Sequence, residues 1–454
     1  MSSLEFAGLL SIPQALVVGL AVVLVAGIDL HKYMRGKHSH LLFACAVGTL
    51  LSALLLIGSK VFIGSGSYAN SHMVALGAVV LVLGWKSLFG PWEADTKAGV
   101  LGTFVFWITF TILSRESAAD RNVHLMALGV ALIPAGIWCA LFLKYHSERI
   151  GNVLLMFFAG MLSTLPILFY DNLLRKGVEL QFFLFRLTPE SFNSTSQGFV
   201  HGNLTGMTSM QSALMVTLVS FIIVGIIEEA SKYWVVSRSG KTLFTSIDDV
   251  LELSIIAAIG FAFAENIVNP SYFSGFIREY LFGPQRDVLG FISNVMGRSV
   301  LTSMVHILST GIMGYFLGLA IFAGPYLEER HAKGRGYRFL AAVHKALHIR
   351  EISVFRFQML ATGFLLAVTF HTLFNFMVTV PEMLPMQPQT FGDLFGDKVP
   401  GFVGGIPLLL LPSVFYVVGG FWLLTALFMR KESMEERGHL VTAEVFVAQA
   451  AEEL

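Results

Sequence analysis

Apolar residues run through this chain in long windows, and polar residues collect between them. A window of about 17–25 apolar residues is long enough to cross the hydrocarbon core of a bilayer as a helix. Such windows lie at 10–28, 41–58, 73–90, 99–114, 122–144, 152–170, 215–238, 253–274, 299–323, 357–380 and 402–428. The pattern predicts an all-α fold, a polytopic transmembrane bundle of about eleven spans. Four of the later windows are broken by groups that do not belong in hydrocarbon. The plainest break is Glu228-Glu229, which follows the apolar run from Phe221 to Ile227. A carboxylate at such a depth costs roughly 2.5–3.5 kcal/mol on insertion scales, and two neighbours resist ionising together. A cost of that kind points to chemistry.

Charge decides the orientation. The segment 324–356 holds Arg330, Lys333, Arg335, Arg338, Lys345, Arg350 and Arg356, the densest basic cluster, which predicts a cytoplasmic loop. Alternation then places Lys32, Arg35, Lys37, Arg238, Lys241 and the C-terminal Arg430 and Lys431 inside. The N-terminus and the loop 381–401 fall outside. The N-terminus has no basic region before its first apolar run, so it reads as an uncleaved span. Within the loops, Tyr337–Arg350 has the pattern of a basic amphipathic helix lying on the inner membrane surface. Its His344 and His348 have an i, i+4 metal-ligand spacing, but like charge and water surround them. Residues 239–252 are expected as a loop or surface helix, and the helix after them is expected to break near Asn269-Pro270. The glycines Gly311, Gly314 and Gly318 are read as packing residues. Asn193-Ser-Thr and Asn203-Leu-Thr have the glycosylation spelling.

Composition sharpens this. The 454 residues are 55% hydrophobic and only 13% charged, whereas soluble domains carry about a quarter charged residues. The two cysteines, Cys45 and Cys139, sit in apolar windows and support neither a disulfide framework nor a cysteine zinc site. The chain divides into an N-terminal six-helix region of unassigned role (1–170), an external loop (171–211), a core carrying the polar breaks (212–385), a final loop and helix (386–428) and a polar cytoplasmic tail (429–454). No nucleic-acid partner is expected; the bilayer is.

The four breaks are Glu228-Glu229-Ala-Ser-Lys232, Phe261-Ala-Phe-Ala-Glu265-Asn266, His306 ahead of a glycine-rich stretch, and His371-Thr-Leu-Phe-Asn375. At 1.5 Å per residue all four sit roughly 16–26 Å from the cytoplasmic helix ends. Helices of alternating direction thus bring them to a similar level. Glu228 and Lys232, four apart, share a helix face suited to an ion pair. Imidazole binds metal or carries protons, an Asn amide donates to an oxyanion, and a carboxylate beside a metal or water generates hydroxide. Together they are the parts for water-driven amide hydrolysis inside a membrane.

In these residues the chain resembles the PrsW family of intramembrane proteases, within a superfamily that includes the CAAX prenyl endopeptidases and bacterial Abi proteins. Glu-Glu-x-x-Lys, Phe-x-x-x-Glu-Asn, a His-bearing helix followed by glycines, and His-x-x-x-Asn occur in that order over roughly 210–385. The resemblance implies a CAAX-protease-like core and an integral protease, by expectation in a bacterial cell membrane, that cleaves membrane-anchored, anti-sigma-factor-like substrates. It implies catalytic roles for Glu228, Glu229, Glu265, His306, His371 and Asn375, with Lys232 and Asn266 supporting. Glu229, Glu265, His306 and His371 are the implied metal ligands, for Zn2+. In the metal-free alternative one glutamate activates water directly, with His and Asn stabilising the oxyanion. No His-Glu-x-x-His occurs, which excludes a conventional zincin.

Two other classes use the same residues: an ion- or proton-coupled transporter, and a membrane scaffold without activity. Glu229→Ala and His371→Ala separate them. A protease loses cleavage while remaining folded, a transporter loses flux, and a scaffold changes only its complex formation.

Overall fold

The computed structural model describes residues 40–65, 81–144, 148–175, 180–182, 185–187, 209–284, 286–332, 337, 342, 344–346, 348–384 and 387–436. The main helices are α1 (His40–Ser65), α2 (Ala94–Arg115), α3 (Ala118–Phe142), α4 (Ile150–Leu162), α5 (Ser209–Ser239), α6 (Ile247–Val268), α7 (Phe273–Phe282), α8 (Val288–Met296), α9 (Ser303–Ile321), α10 (Glu351–Met383) and α11 (Gly420–Glu436). A two-stranded antiparallel ribbon, β1 (Leu180–Phe182) and β2 (Phe185–Leu187), pairs Leu180 with Leu187 inside the predicted external loop. Apart from an isolated bridge between Thr390 and Pro407, the regular structure among the described residues is otherwise helical.

Six runs among the described residues are long and apolar enough to cross a membrane: Ala94–Arg115, Ala118–Phe142, Ile150–Asp171, Val288–Ile321, Glu351–Pro381 and Leu410–Met429. Six of the predicted windows fall on them. The window at 41–58 coincides with a shorter apolar helix, Leu41–Leu56. The window at 10–28, residues 73–80 of that at 73–90, the sequons and the tail beyond Glu436 lie outside the described residues, as do 338–341, 343 and 347 within the segment 337–350. The windows at 215–238 and 253–274 coincide with α5 and α6, the two helices that carry the acids.

α6 is the centre of the bundle, buried along almost its whole length. It packs against α9 and α4; α9 packs on α10, and α10 on α5. The sequence marks both its ends. Ser246 and Asp249 form a capping box, so the helix begins at Ile247, earlier than its apolar window suggested. At the other end Pro270 disfavours helical geometry at Asn269, which is extended (φ −76°, ψ 116°), and the helix stops at Val268. The expected break is there.

Close helix approach is bought with glycine. A side chain at Gly160 of α4 would strike the carbonyl of Ala257, and one at Gly260 of α6 would strike the carbonyl of Phe157. On the opposite side Gly311, Gly314 and Gly318 of α9 lie against Ile255, Ser254 and Ile247. The predicted packing role of that trio is what the structure shows. Outside the core, Phe106, Leu132, Ile133, Phe357, Leu365 and Trp422 point outward and are exposed, as a lipid-facing surface requires.

The run Val288–Ile321 is not α-helical throughout. Gly297–Thr302 forms a π-turn between α8 and α9. A second π-turn, Val414–Gly419, precedes α11, and its buried Tyr416 donates to the Phe370 carbonyl of α10 at 2.5 Å.

Gly260→Ala should therefore destabilise the protein by about 1–3 kcal/mol through overpacking. Gly129→Ala, at a position with open space around it, should be neutral or stabilising through helix propensity. Denaturation midpoints of the two variants in one detergent give the comparison.

Candidate functional site

The four predicted breaks meet. Glu228, Glu229 and Lys232 come from α5, Glu265 and Asn266 from α6, His306 and Thr310 from α9, and His371 from α10. None of these helices is a neighbour in sequence of all the others, so only the packing around α6 assembles the group.

Glu229 lies at its base, without solvent exposure. Its Oε1 accepts from Lys232 Nζ at 2.6 Å and from His371 Nδ1 at 2.8 Å, and its Oε2 accepts from Thr310 Oγ1 at 3.1 Å. The sequence paired Lys232 with Glu228; the structure pairs it with Glu229, one residue closer along the helix. The reason is that Lys232 Nζ also serves His306 Nδ1 at 3.2 Å and lies 4.3 Å from the centroid of the Phe261 ring, and Glu229 is the acid that points into this corner.

The histidine tautomers follow from these partners. An ammonium group only donates, so His306 Nδ1 accepts from Lys232 and the ring proton sits on Nε2. Nε2 then donates to Glu265 Oε2 at 3.0 Å. His371 donates from Nδ1 to Glu229, which leaves the Nε2 lone pair free. It lies 3.5 Å from Glu228 Oε2. The two imidazoles meet edge to face with centroids 5.0 Å apart.

Glu228 Oε2 is the unusual atom. It is buried and has no hydrogen-bond partner among the described residues. It faces a nitrogen lone pair at 3.5 Å and His306 Nδ1 at 3.9 Å. Acceptors facing one another in a dry site are unfavourable unless a cation or proton lies between them. Glu228, His306 and His371 are also the residues whose ligand atoms gather within 4.8 Å of one another. Two imidazole nitrogens and a carboxylate oxygen suit zinc, with a fourth position left for water; of the two nitrogens, His371 Nε2 is free and His306 Nδ1 would exchange its Lys232 hydrogen bond for the ion. Each histidine is backed by a further carboxylate, Glu229 behind His371 and Glu265 behind His306, an arrangement that orients metal-bound imidazoles. The trio differs from the expected ligand set in its acid: Glu229 and Glu265 have their oxygens engaged, and Glu228 has the free one.

Burial is graded. Glu229 and Lys232 are 0% exposed, His306 2% and Glu228 7%, whereas Glu265 is 19% and Arg298 17% exposed. The cluster opens on the Glu265 side. Asn266 is buried and accepts from Arg298 Nε at 2.9 Å, so its partner is a residue the sequence reading left out. Arg298 was missed because it stands just before its apolar window; an arginine between Gly297 and Ser299 beside a span was the available signal. Thr310, four residues after His306, left no signal. Asn375 lies half-buried on α10, one turn beyond His371.

Lys232→Met should cost about 3–5 kcal/mol by stranding a buried carboxylate. The double variant Glu229→Gln, Lys232→Met should recover part of that loss. Chemical denaturation in micelles measures both.

Residues 148–395 match a protein family described as PrsW family intramembrane metalloprotease. The match covers just over half of the 454 residues. It takes in α4 through α10, every residue of the cluster and Asn375, and reaches further towards the N-terminus than 212–385. No curated protein and no solved structure matches the chain.

Proposed function

The chain belongs to the PrsW family of intramembrane metalloproteases, and we propose that it is an endopeptidase that hydrolyses peptide bonds of membrane-anchored proteins at the Glu228–His306–His371 trio. One observation carries the assignment: the buried, unpartnered Oε2 of Glu228 beside the free Nε2 of His371.

In this reading Glu228 and His371 Nε2 would hold the metal, joined by His306 Nδ1 once it exchanges its Lys232 hydrogen bond for the ion, with zinc the ion their donor set suits best. When bound, such an ion lowers the pKa of water towards neutrality and polarises a carbonyl. The protein's residues do the remainder. Glu229 holds His371 with Nε2 facing inward. Lys232 balances Glu229, so the site's charge is not left to the lipid. Glu265, the most exposed acid of the cluster, holds His306 by Nε2 and stands at the open flank, where it would exchange protons with water. Asn375 is the proposed donor to the oxyanion, one turn from His371. Where no metal binds, the same geometry supports the second mechanism. Glu228 Oε2 then takes the proton from water directly.

The basic segment 324–356 supports an orientation with that loop and the C-terminus in the cytoplasm and the N-terminus outside. The Glu265 flank, near the outer end of α6, would then open towards the external face. Substrates would be proteins with a single membrane anchor, anti-sigma-factor-like by resemblance, and the membrane a bacterial cell membrane. The eleven-span count belongs to this proposal; α5 and α6 would cross as the central, site-bearing pair.

Purified wild-type protein should contain close to one zinc per chain, and Glu228→Gln and His371→Ala should each lose it together with cleavage, while their melting profiles stay cooperative. Elemental analysis alongside a cleavage assay decides this. Zinc retained in both variants would remove the trio from the metal reading. In the same preparation, a single-cysteine label at position 335 should react only from the cytoplasmic side.

A further inference from the structure

Arg298 comes from the π-turn Gly297–Thr302, where the helical run towards His306 departs from α-helical spacing. Such turns gather at functional sites. From there the side chain reaches α6 and the residues after it. Its Nε donates to Asn266 Oδ1 at 2.9 Å, and its Nη2 lies 3.2 Å from Glu265 Oε1. Its guanidinium carbon sits 3.3 Å from the centroid of the Tyr272 ring. The contact with Glu265 is an ion pair without hydrogen-bond alignment, so charge and stacking, rather than one directional bond, hold the two side chains together.

This arrangement reaches the centre of the site in one step. Glu265 spends Oε1 on Arg298 and Oε2 on His306 Nε2. Wherever Arg298 holds the carboxylate, the His306 ring must follow, and its other nitrogen faces Glu228. The neighbouring Glu265 and Asn266 then have one shared partner: both side chains contact the same guanidinium.

We propose that Arg298 is the positioning residue of this site: held by Tyr272 and Asn266, it aims Glu265 at His306 Nε2 and so keeps Nδ1 turned into the trio. The inference rests on the metal-binding reading of that trio. Lysine is a poor substitute, because it lacks both the fork and the flat stacking surface.

The test is Co2+ titration of the full-length protein, read from its visible absorption, with wild type, Arg298→Lys, Arg298→Met, Glu265→Gln and the double variant Glu265→Gln, Arg298→Met. Loss of an outer carboxylate contact typically weakens metal binding about 10–100-fold, the drop expected for Arg298→Met, with Arg298→Lys between it and wild type. Once Glu265 is Gln, removing Arg298 should add little, because the two act through one contact. Unchanged Co2+ affinity in Arg298→Met, with only a lower melting temperature, overturns the proposal. So does full additivity of the two substitutions. If wild type takes up no Co2+, the metal reading fails on its own, and 15N-histidine NMR decides the role of Arg298. Lys232 keeps the proton on His306 Nε2 in every variant, so the readout is that N–H. Wild type should show it protected by the Glu265 hydrogen bond, and Arg298→Met should show it exchanging faster; unchanged exchange overturns the proposal. Should Arg298→Met not fold, Arg298→Lys and the double variant carry the same comparison.

Discussion

Glu229 and Lys232 form an ion pair at 2.6 Å with neither side chain exposed. Removing two charges from water costs several kcal/mol per ion even after relaxation, and their attraction compensates only when every remaining hydrogen-bonding group is matched. Here the matching comes from three other helices. His371 and Thr310 complete Glu229; His306 and the face of Phe261 complete Lys232. The pair therefore demands that α5, α6, α9 and α10 meet at one level. The two histidines are held at the site by the same groups that make the buried charges tolerable.

That demand explains where the fold is rigid. A site built from single side chains on four helices keeps its geometry only if the helices cannot slide. Glycines on both sides of α6 remove the clearance that sliding would need, Gly160 and Gly260 where it meets α4 and Gly314 and Gly318 where it meets α9. With lipid outside the bundle, close packing of this kind is a main source of cohesion between helices. Tyr416 adds a tie to α10, through the Phe370 carbonyl next to His371.

The polar groups form two similar halves around Glu228. In each, a carboxylate fixes one nitrogen of a histidine so that the other faces the centre. The halves differ in what lies behind the carboxylate. Behind Glu229 is Lys232, sealed from solvent; behind Glu265 is Arg298, at the open flank. A closed half suits structure and charge balance. An open half suits exchange of water and protons. Both carboxylates orient a histidine; the asymmetry leaves only Glu265 where it can also exchange protons with water.

The sequence by itself determined that the chain is helical and membrane-embedded, because twenty-residue apolar windows have few other stable forms. It also singled out Glu228, Glu229, Glu265, His306 and His371, since ionisable groups are conspicuous in hydrocarbon. Pro270 marked the far end of α6 by local backbone chemistry, whereas its start at Ile247 falls inside the stretch 239–252 expected as a loop or surface helix, because the apolar window alone does not register the Ser246–Asp249 cap. Pairing was not legible: helical spacing allowed Lys232 to meet either Glu228 or Glu229, and only its contacts with His306 and Phe261 chose Glu229. Nor could spacing show which acid keeps a free oxygen, because that depends on hydrogen bonds from other helices. Arg298 and Thr310 are ordinary residues in the linear pattern and become part of the site through a π-turn and a helix face. Residue types and helix ends are local properties that a chain carries in its order. Partners across four helices are properties of packing, and tertiary structure alone decided them.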